Sequence, residues 1–135
     1  MSVGYSGTPL LKKLGITDEM KVLLIDAPKN YFDWLEKNLS KQLIKKNEIP
    51  DFVHVFAPSK KEYLGSMQSI NDFCKKNPRI VIWVSWYKKS AGIATDLTED
   101  FVRDYALKND LVDIKVCAVS GEWSGLKLVV PVAKR

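Results

Sequence analysis

The chain has 135 residues, of which 46% are hydrophobic and 27% are charged, and these proportions exclude a disordered polymer. Its 21 cations and 16 carboxylates are mixed along the chain, so the net charge of +5 favours anionic partners without indicating nucleic acid. We expect one domain over residues 1–135, with an N-terminal arm and short helix over 1–19.

Export and metal-binding signals are both missing from the sequence. Residues 1–10 lack a basic region followed by a long apolar stretch, and the longest apolar run, over 80–84, is too short to cross a bilayer. A cytoplasmic location is therefore predicted. Cys74 and Cys117 fit two reduced thiols on apolar faces, and His54 fits a core or strand-face position. No metal site and no catalytic residue are predicted.

The first predicted elements are a short helix and an apolar strand. Thr8 and Pro9 offer an N-cap and a first helical residue for a helix that runs through Leu14, and Gly15 ends it. Residues 22–25 form a continuous apolar run, which is typical of a strand covered on both faces.

Two helices flank a second predicted strand over residues 52–56. Asn30 can cap the helix before it, whose apolar positions are Phe32, Leu35 and Leu39. Ser59 and Glu62 form a capping box for the helix after it, which Asn77 and Pro78 end. The apolar positions of that second helix are Tyr63, Met67, Ile70 and Cys74.

A third strand over residues 80–84 leads to a last helix and a hairpin. The helix is capped by Asp96 or Thr98 and ends near Asn109; its inward positions are Phe101, Val102 and Tyr105. Residues 114–119 and 126–130 lie too close in sequence for a crossover helix, so they predict an antiparallel hairpin. The predicted fold class is α/β, a Rossmann-like three-layer sandwich with a mostly parallel five-stranded sheet closed by that C-terminal hairpin.

Two of the three loops at the carboxyl ends of the predicted strands lack the features of a nucleotide site. The first, Asp26-Ala27-Pro28-Lys29-Asn30, has no glycine, and Asn30 occupies the helix N-terminus with its own side chain. We therefore expect no cofactor, and weak or no binding of S-adenosylmethionine and nicotinamide dinucleotides. Asp26 has either a turn role or a role in binding a ligand hydroxyl. The second loop, Ala57-Pro58-Ser59, fits a structural role.

The third loop, over residues 88–98, combines lysines, hydroxyls and small residues beside a helix N-terminus, which are the ingredients of an anion site. The candidate ligand-binding residues are Lys88, Lys89, Ser90, Gly92, Thr95, Asp96 and Thr98. A solvated loop whose lysines keep the edge soluble is the alternative. Trp83, Trp86 and Trp123 bracket this region and fit either ligand stacking or core packing.

Five blocks of the chain resemble an uncharacterised bacterial family catalogued only as a domain of unknown function. They are Gly4-Tyr5-Ser6-Gly7-Thr8-Pro9-Leu10; Trp83-Val84-Ser85-Trp86 with Lys88-Lys89 and Gly92; Thr95-Asp96-Leu97-Thr98-Glu99; Leu111-Val112-Asp113 with Lys115-Val116-Cys117-Ala118; and Trp123-Ser124-Gly125-Leu126-Lys127. The resemblance implies a fold and signature positions, because the family has no assigned activity. It adds Tyr5, Ser6, Thr8, Trp123 and Ser124 to the candidate site, and we expect them to meet the 88–98 loop in space.

The layout also resembles the later half of a class I S-adenosylmethionine methyltransferase. This resemblance implies that the first three strands are parallel neighbours in chain order and that residues 126–130 lie between the third strand and 114–119. The chain departs from that pattern in its glycine-less first turn. It also lacks a clear second strand that ends in an acidic residue before Asn47.

Two functions fit these observations. The first is a non-catalytic Rossmann-like binding or regulatory module that recognises an anionic small molecule or a protein partner at the carboxyl edge of the sheet. The alternative is a divergent S-adenosylmethionine-dependent methyltransferase with an atypical cofactor site. A nucleic-acid partner is a minor option, since no reading motif supports it.

Overall fold

The structure is a computed structural model that describes residues 8–135, and helices alternate with strands along it. The helices are α1 (Leu10–Leu14), α2 (Tyr31–Leu35), α3 (Lys60–Lys76) and α4 (Glu99–Lys108). The strands are β1 (Val22–Ile25), β2 (Phe52–Phe56), β3 (Val81–Tyr87), β4 (Val112–Ala118) and β5 (Trp123–Val129). None of the helices between residues 8 and 135 combines the length and apolar character that crossing a bilayer requires.

The five strands form one mixed sheet in the order β1-β2-β3-β5-β4. The pairs β1/β2 and β2/β3 are parallel, whereas β3/β5 and β4/β5 are antiparallel. The predicted strand order is therefore confirmed, but the sheet is not mostly parallel. The reason is that β5 follows β4 through a tight turn and enters between β4 and β3, so both of its neighbours run against it. The turn is also shorter than predicted, because residues 123–125 already pair with β3.

Two apolar clusters cover the two faces of the sheet. Val53 and Val55 of β2 pack with α3 and α4 on one face. Phe52 and Phe56, at the alternate positions, pack with α1 and α2 on the other face. Leu23 and Ile25 of β1 pack against the first cluster and Val22 and Leu24 against the second, so the strand is covered on both faces as expected, although residues 23–25 are only half-buried. The physical reason for the half-burial is that β1 lies at the edge of the sheet.

The first two helices depart from the predicted boundaries. Pro9 occupies the N-cap position of α1 instead of its first turn, whereas Gly15 ends the helix in a left-handed conformation as predicted. Asn30 makes no side-chain capping bond to α2, which ends at Glu36, another left-handed residue. The side chain of Asn38 then accepts a hydrogen bond from the Ser40 backbone N–H at 2.8 Å, which favours a turn over a longer helix.

The later helices agree more closely with the sequence pattern. The Ser59 hydroxyl caps α3 by accepting from the Glu62 N–H at 3.5 Å. Of the two candidate caps for α4, Thr98 is the one used, and its hydroxyl accepts from the Phe101 N–H at 3.2 Å. The buried positions of α4 are Val102 and Ala106, while Phe101 and Tyr105 are half-buried.

Candidate functional site

A groove of about 850 Å³ lies at the carboxyl edge of the sheet, between the β3–α4 loop and the start of β5. Its lining residues are Trp86, Tyr87, Lys88, Lys89, Ser90, Ile93, Ala94, Thr95, Leu97, Thr98, Glu99, Asp100 and Ser124. Trp86 and Ser124 are directly paired across β3 and β5, so the loop and the hairpin meet at one end of this groove. The carboxyl edge is the general location of ligand sites in open α/β sheets.

The shape of the loop follows from local backbone chemistry. The Lys88 N–H donates to the Glu122 carbonyl at 2.9 Å, which ties the start of the loop to the β4–β5 turn. A short 3-10 turn over Lys89–Ala91 then ends at Gly92, whose φ of 69° lies in the left-handed region. Glycine adopts this conformation without a steric penalty, so Gly92 shapes the loop through its backbone.

Three of the predicted site residues hold the loop to α3 and α4. The Thr95 hydroxyl donates to the Pro58 carbonyl at 2.8 Å and accepts from the Leu97 N–H at 3.1 Å. A carboxylate oxygen of Asp96 accepts from the Lys60 N–H at 2.8 Å, at the N-terminus of α3. Thr98 caps α4. The loop that forms the groove is therefore anchored by its own polar side chains.

The structure brings together half of the predicted site residues. Those that line the groove are Lys88, Lys89, Ser90, Thr95, Thr98 and Ser124. Gly92, Asp96, Thr8 and Trp123 do not line it. Trp123 lies on the other face of the sheet, where its ring stacks on Tyr87 with centroids 4.1 Å apart. Tyr5 and Ser6 lie outside the described residues.

Sequence reasoning missed Ile93, Leu97 and the acidic part of the groove, and it left open whether Trp86 faces a ligand or the core. The apolar wall includes Trp86, Ile93 and Leu97. Trp86 alternates with Trp83 along β3 and so faces the side of α3 and α4. That alternation was the one available signal for its direction. Ile93 and Leu97 gave no signal, because their positions depend on the path of an irregular loop.

Charges of both signs face the groove. Among residues 8–135, no ion pair is made by Lys88 or Lys89. The carboxylates of Glu99 and Asp100 lie in the first turn of α4, 2.5 and 3.4 Å from the Arg103 guanidinium. These two carboxylates occupy the positive end of the α4 dipole and the charge of Arg103, so neither that positive end nor Arg103 is left to attract an anionic ligand. Lys88 and Lys89 are the groove cations that have no carboxylate partner within residues 8–135.

A second polar cluster, formed by Tyr31, His54 and Ser85, lies in the core. The ring of His54 shares hydrogen bonds with the Tyr31 hydroxyl at Nδ1 and with the Ser85 hydroxyl at Nε2, both at 2.8 Å. All three side chains are buried. Burial lowers the pKa of His54 to about 3 and raises that of Tyr31 well above its ordinary value. His54 is therefore a neutral core residue, as the sequence indicated.

The remaining candidate groups take ordinary positions. Asp26 follows β1 with a φ of 56°, a left-handed conformation that aspartate adopts in turns. Cys74 and Cys117 are free thiols in half-buried positions, and burial raises the pKa of Cys74 to about 11. Among residues 8–135, no group of three or more His, Cys, Asp or Glu side chains could hold a metal ion.

Comparisons with known proteins supply a structural likeness. No family model and no curated protein matches the chain. It is similar to a solved structure of a protein in the NADB-Rossmann superfamily from Streptococcus agalactiae, with a TM-score of 0.49 and 9% identity. The match covers 91% of this chain and 68% of that one. The resemblances to the uncharacterised bacterial family and to the methyltransferases stay predictions.

Proposed function

We propose that this protein is a non-catalytic binding module that recognises a small molecule with one anionic group in the groove at the carboxyl edge of the sheet. The proposal rests on one cavity of about 850 Å³. Its lining contains both Lys88 and Lys89 and the apolar wall formed by Trp86, Ile93 and Leu97. Cavities of this size are typical of small-molecule sites, where apolar contacts supply affinity and a few charged groups orient the ligand.

The distribution of charge in the groove restricts the ligand. An anionic group would lie near Lys88 and Lys89, while its apolar body would pack against Trp86 and the residues around Leu97. Glu99 and Asp100 line the same groove. They would repel a second anionic group, so the ligand that fits carries its negative charge at one end.

The groups that line the groove support binding more than catalysis. Its lining residues include no histidine and no cysteine. The hydroxyls of Thr95 and Thr98 are engaged in structural hydrogen bonds. The one histidine of the chain, His54, is fully buried away from any ligand. The pairing of a histidine base with a serine or cysteine nucleophile is therefore missing from this lining, and its carboxylates, Glu99 and Asp100, are paired with Arg103.

The test is a thermal-shift screen with metabolites that carry one carboxylate or one phosphate, at low ionic strength. A bound ligand raises the melting temperature by mass action. We expect the shift to be lost in Lys88→Ala with Lys89→Ala and in Ser124→Phe, which fills the groove without changing its charge. Lys75→Ala with Lys76→Ala, on α3, has the same change in net charge and should keep the shift. Shifts that survive both groove variants would overturn the proposal.

Calorimetry with S-adenosylmethionine separates the methyltransferase alternative. We expect weak or no binding, because the loop after β1 has no glycine and Pro28 has no N–H to offer a ligand. A dissociation constant in the low micromolar range would favour the methyltransferase and contradict the non-catalytic module.

A further inference from the structure

Two lysines oppose each other directly on the open part of the sheet, away from the groove. Lys115 of β4 and Lys127 of β5 are partners in the strand register, and Lys127 also pairs with Trp83 of β3. Side chains of directly opposed residues lie on the same face and interact, so two like charges at these positions destabilise the hairpin. Lys115 is exposed and Lys127 is half-buried.

The face on which these lysines lie is the one covered by α1 and α2 further along the sheet. Leu126 and Leu128 pack toward α3 and α4, so Lys127 between them points to the opposite side. The indole N–H of Trp83 donates to the Leu14 carbonyl at 3.0 Å, which places the end of α1 beside this region. Lys13 is in the last turn of α1.

The charged side chains that shift the pKa values of Cys117 and Lys127 on this face are lysines. Burial raises the pKa of the Cys117 thiol, and the charged groups that oppose this rise are Lys13 and Lys115. Burial also lowers the pKa of Lys127, and Lys115 lowers it further. Within residues 8–135, no carboxylate forms an ion pair with Lys13, Lys115 or Lys127. We call the surface formed by Lys13, Lys115, Cys117 and Lys127 the lysine face.

We propose that the lysine face binds the phosphate backbone of a nucleic acid without reading its base sequence. Lysine side chains are point charges, which attract phosphates but do not fix a base. Two apolar side chains of β4 are exposed next to Lys115: Val116 is paired with Leu126 and so points to the side of α4, whereas Ile114 lies in the irregularity between Asp113 and Lys115. A lipid surface or a protein partner would need several apolar contacts, and among residues 8–135 Ile114 is the one exposed apolar side chain beside three lysines, so a polymer held mainly by charge fits better.

The interaction is independent of the groove and has a defined salt dependence. Neutralising about three phosphates of a single strand gives a slope of roughly −2 in a plot of log affinity against log salt. We would measure this slope by fluorescence anisotropy with a labelled mixed-sequence oligonucleotide of about 20 nucleotides, as a single strand and as a duplex. A second mixed sequence should bind with the same affinity.

The decisive variant is Lys115→Gln with Lys127→Gln. Binding at low salt should weaken about tenfold or more, and the slope should fall to roughly −0.7, because one lysine remains. Its melting temperature should rise, since the opposed like charges are gone. Weaker binding together with a higher melting temperature shows that the variant has lost the binding face and is still folded. The control Lys75→Gln with Lys76→Gln has the same net charge and should bind as the wild type does.

Several outcomes would overturn the proposal. One is absence of salt-dependent binding to both forms of the oligonucleotide, and another is equal loss of affinity in the control variant. Binding to phosphatidylserine vesicles without binding to the oligonucleotide would assign the face to a lipid surface instead. A supporting result is that the oligonucleotide slows the alkylation of Cys117, which is part of the lysine face. Alkylation of Cys74 should be unchanged, because Cys74 packs against the apolar cluster on the opposite face of the sheet.

Discussion

The Nε2 atom of His54 lies 2.8 Å from the Oγ atom of Ser85, and neither side chain reaches solvent. A serine beside a histidine at this distance is the arrangement of a nucleophile and its base. Here the pair joins β2 to β3, and the Tyr31 hydroxyl at Nδ1 joins both strands to α2. No polar side-chain atom buried in the described part of the chain lacks a partner. The cluster therefore stabilises the contact of α2 with the sheet.

Acidification from pH 7 to pH 5 should destabilise the protein by about 2 kcal/mol through His54. The buried ring has a pKa of about 3, whereas an unfolded histidine titrates near 6.5. Between these values the unfolded chain binds a proton that the folded chain excludes. The free energy of unfolding therefore falls as the pH drops through this window and is constant above it. Urea denaturation at a series of pH values measures the effect.

The matched variant is His54→Gln, which has no imidazole to titrate. The free energy of unfolding of His54→Gln need not equal that of the wild type, but it should not change with pH between pH 5 and pH 7. Hydrogen bonds lower the pKa values of Glu19 and Glu48 from the ordinary glutamate value, which already lies below the upper part of the window. A pH dependence as steep in the variant as in the wild type would show that another group is responsible.

Tyr31→Phe should cost about 1–3 kcal/mol, because it leaves the Nδ1 atom of buried His54 without a partner. The ring itself keeps its apolar contacts, so the loss isolates the hydroxyl. Tyr105→Phe is the control: Tyr105 is half-buried, and within residues 8–135 its hydroxyl makes no hydrogen bond, so its cost should stay within about 0.5 kcal/mol. Equal costs in chemical denaturation would argue against the network.

Gly125→Ala tests the close packing of the hairpin on β3. A Cβ atom at Gly125 would lie 2.9 Å from a Val119 methyl group and 3.1 Å from the Trp83 ring. Overpacking of this kind costs about 1–3 kcal/mol. The same substitution at Gly121, where nothing lies within 4 Å, should be close to neutral. Thermal unfolding of both variants decides, and a neutral Gly125→Ala would show that Val119 can move aside.

The strands themselves were predictable because the apolar runs are short and strong, whereas their order in the sheet was implied by the resemblance to the methyltransferase layout. The carboxyl edge of β3 was predictable as the place of a long loop for the same reason as the strands were. The start of β5 was predicted too late in the chain, because residues 123–125 are held in the strand by long-range pairing with β3, as Trp123 is with Tyr87. The end of α2 at Glu36 was also missed, since a non-glycine residue in the left-handed region has no sequence signature.

The site was predictable only in its polar part. Lysines and hydroxyls in one loop indicate an anion site, but the sequence does not show which of them are engaged elsewhere. Asp96 is an example, since its carboxylate holds the start of α3 instead of facing the groove. The opposition of Lys115 and Lys127 was invisible as well, because it depends on the register of the hairpin and on the irregularity between Asp113 and Lys115.

Gly65→Ala and Gly92→Ala should change stability in opposite directions, although a Cβ atom would meet nothing within 4 Å at either position. Gly65 lies inside α3, where alanine is favoured over glycine by about 0.5–1 kcal/mol. Gly92 has a φ of 69°, where a Cβ atom costs roughly 1–2 kcal/mol. We therefore expect Gly65→Ala to raise the melting temperature and Gly92→Ala to lower it. A stabilising Gly92→Ala would show that the β3–α4 loop can relax to another backbone conformation, and the geometry of the groove would then have to be redefined.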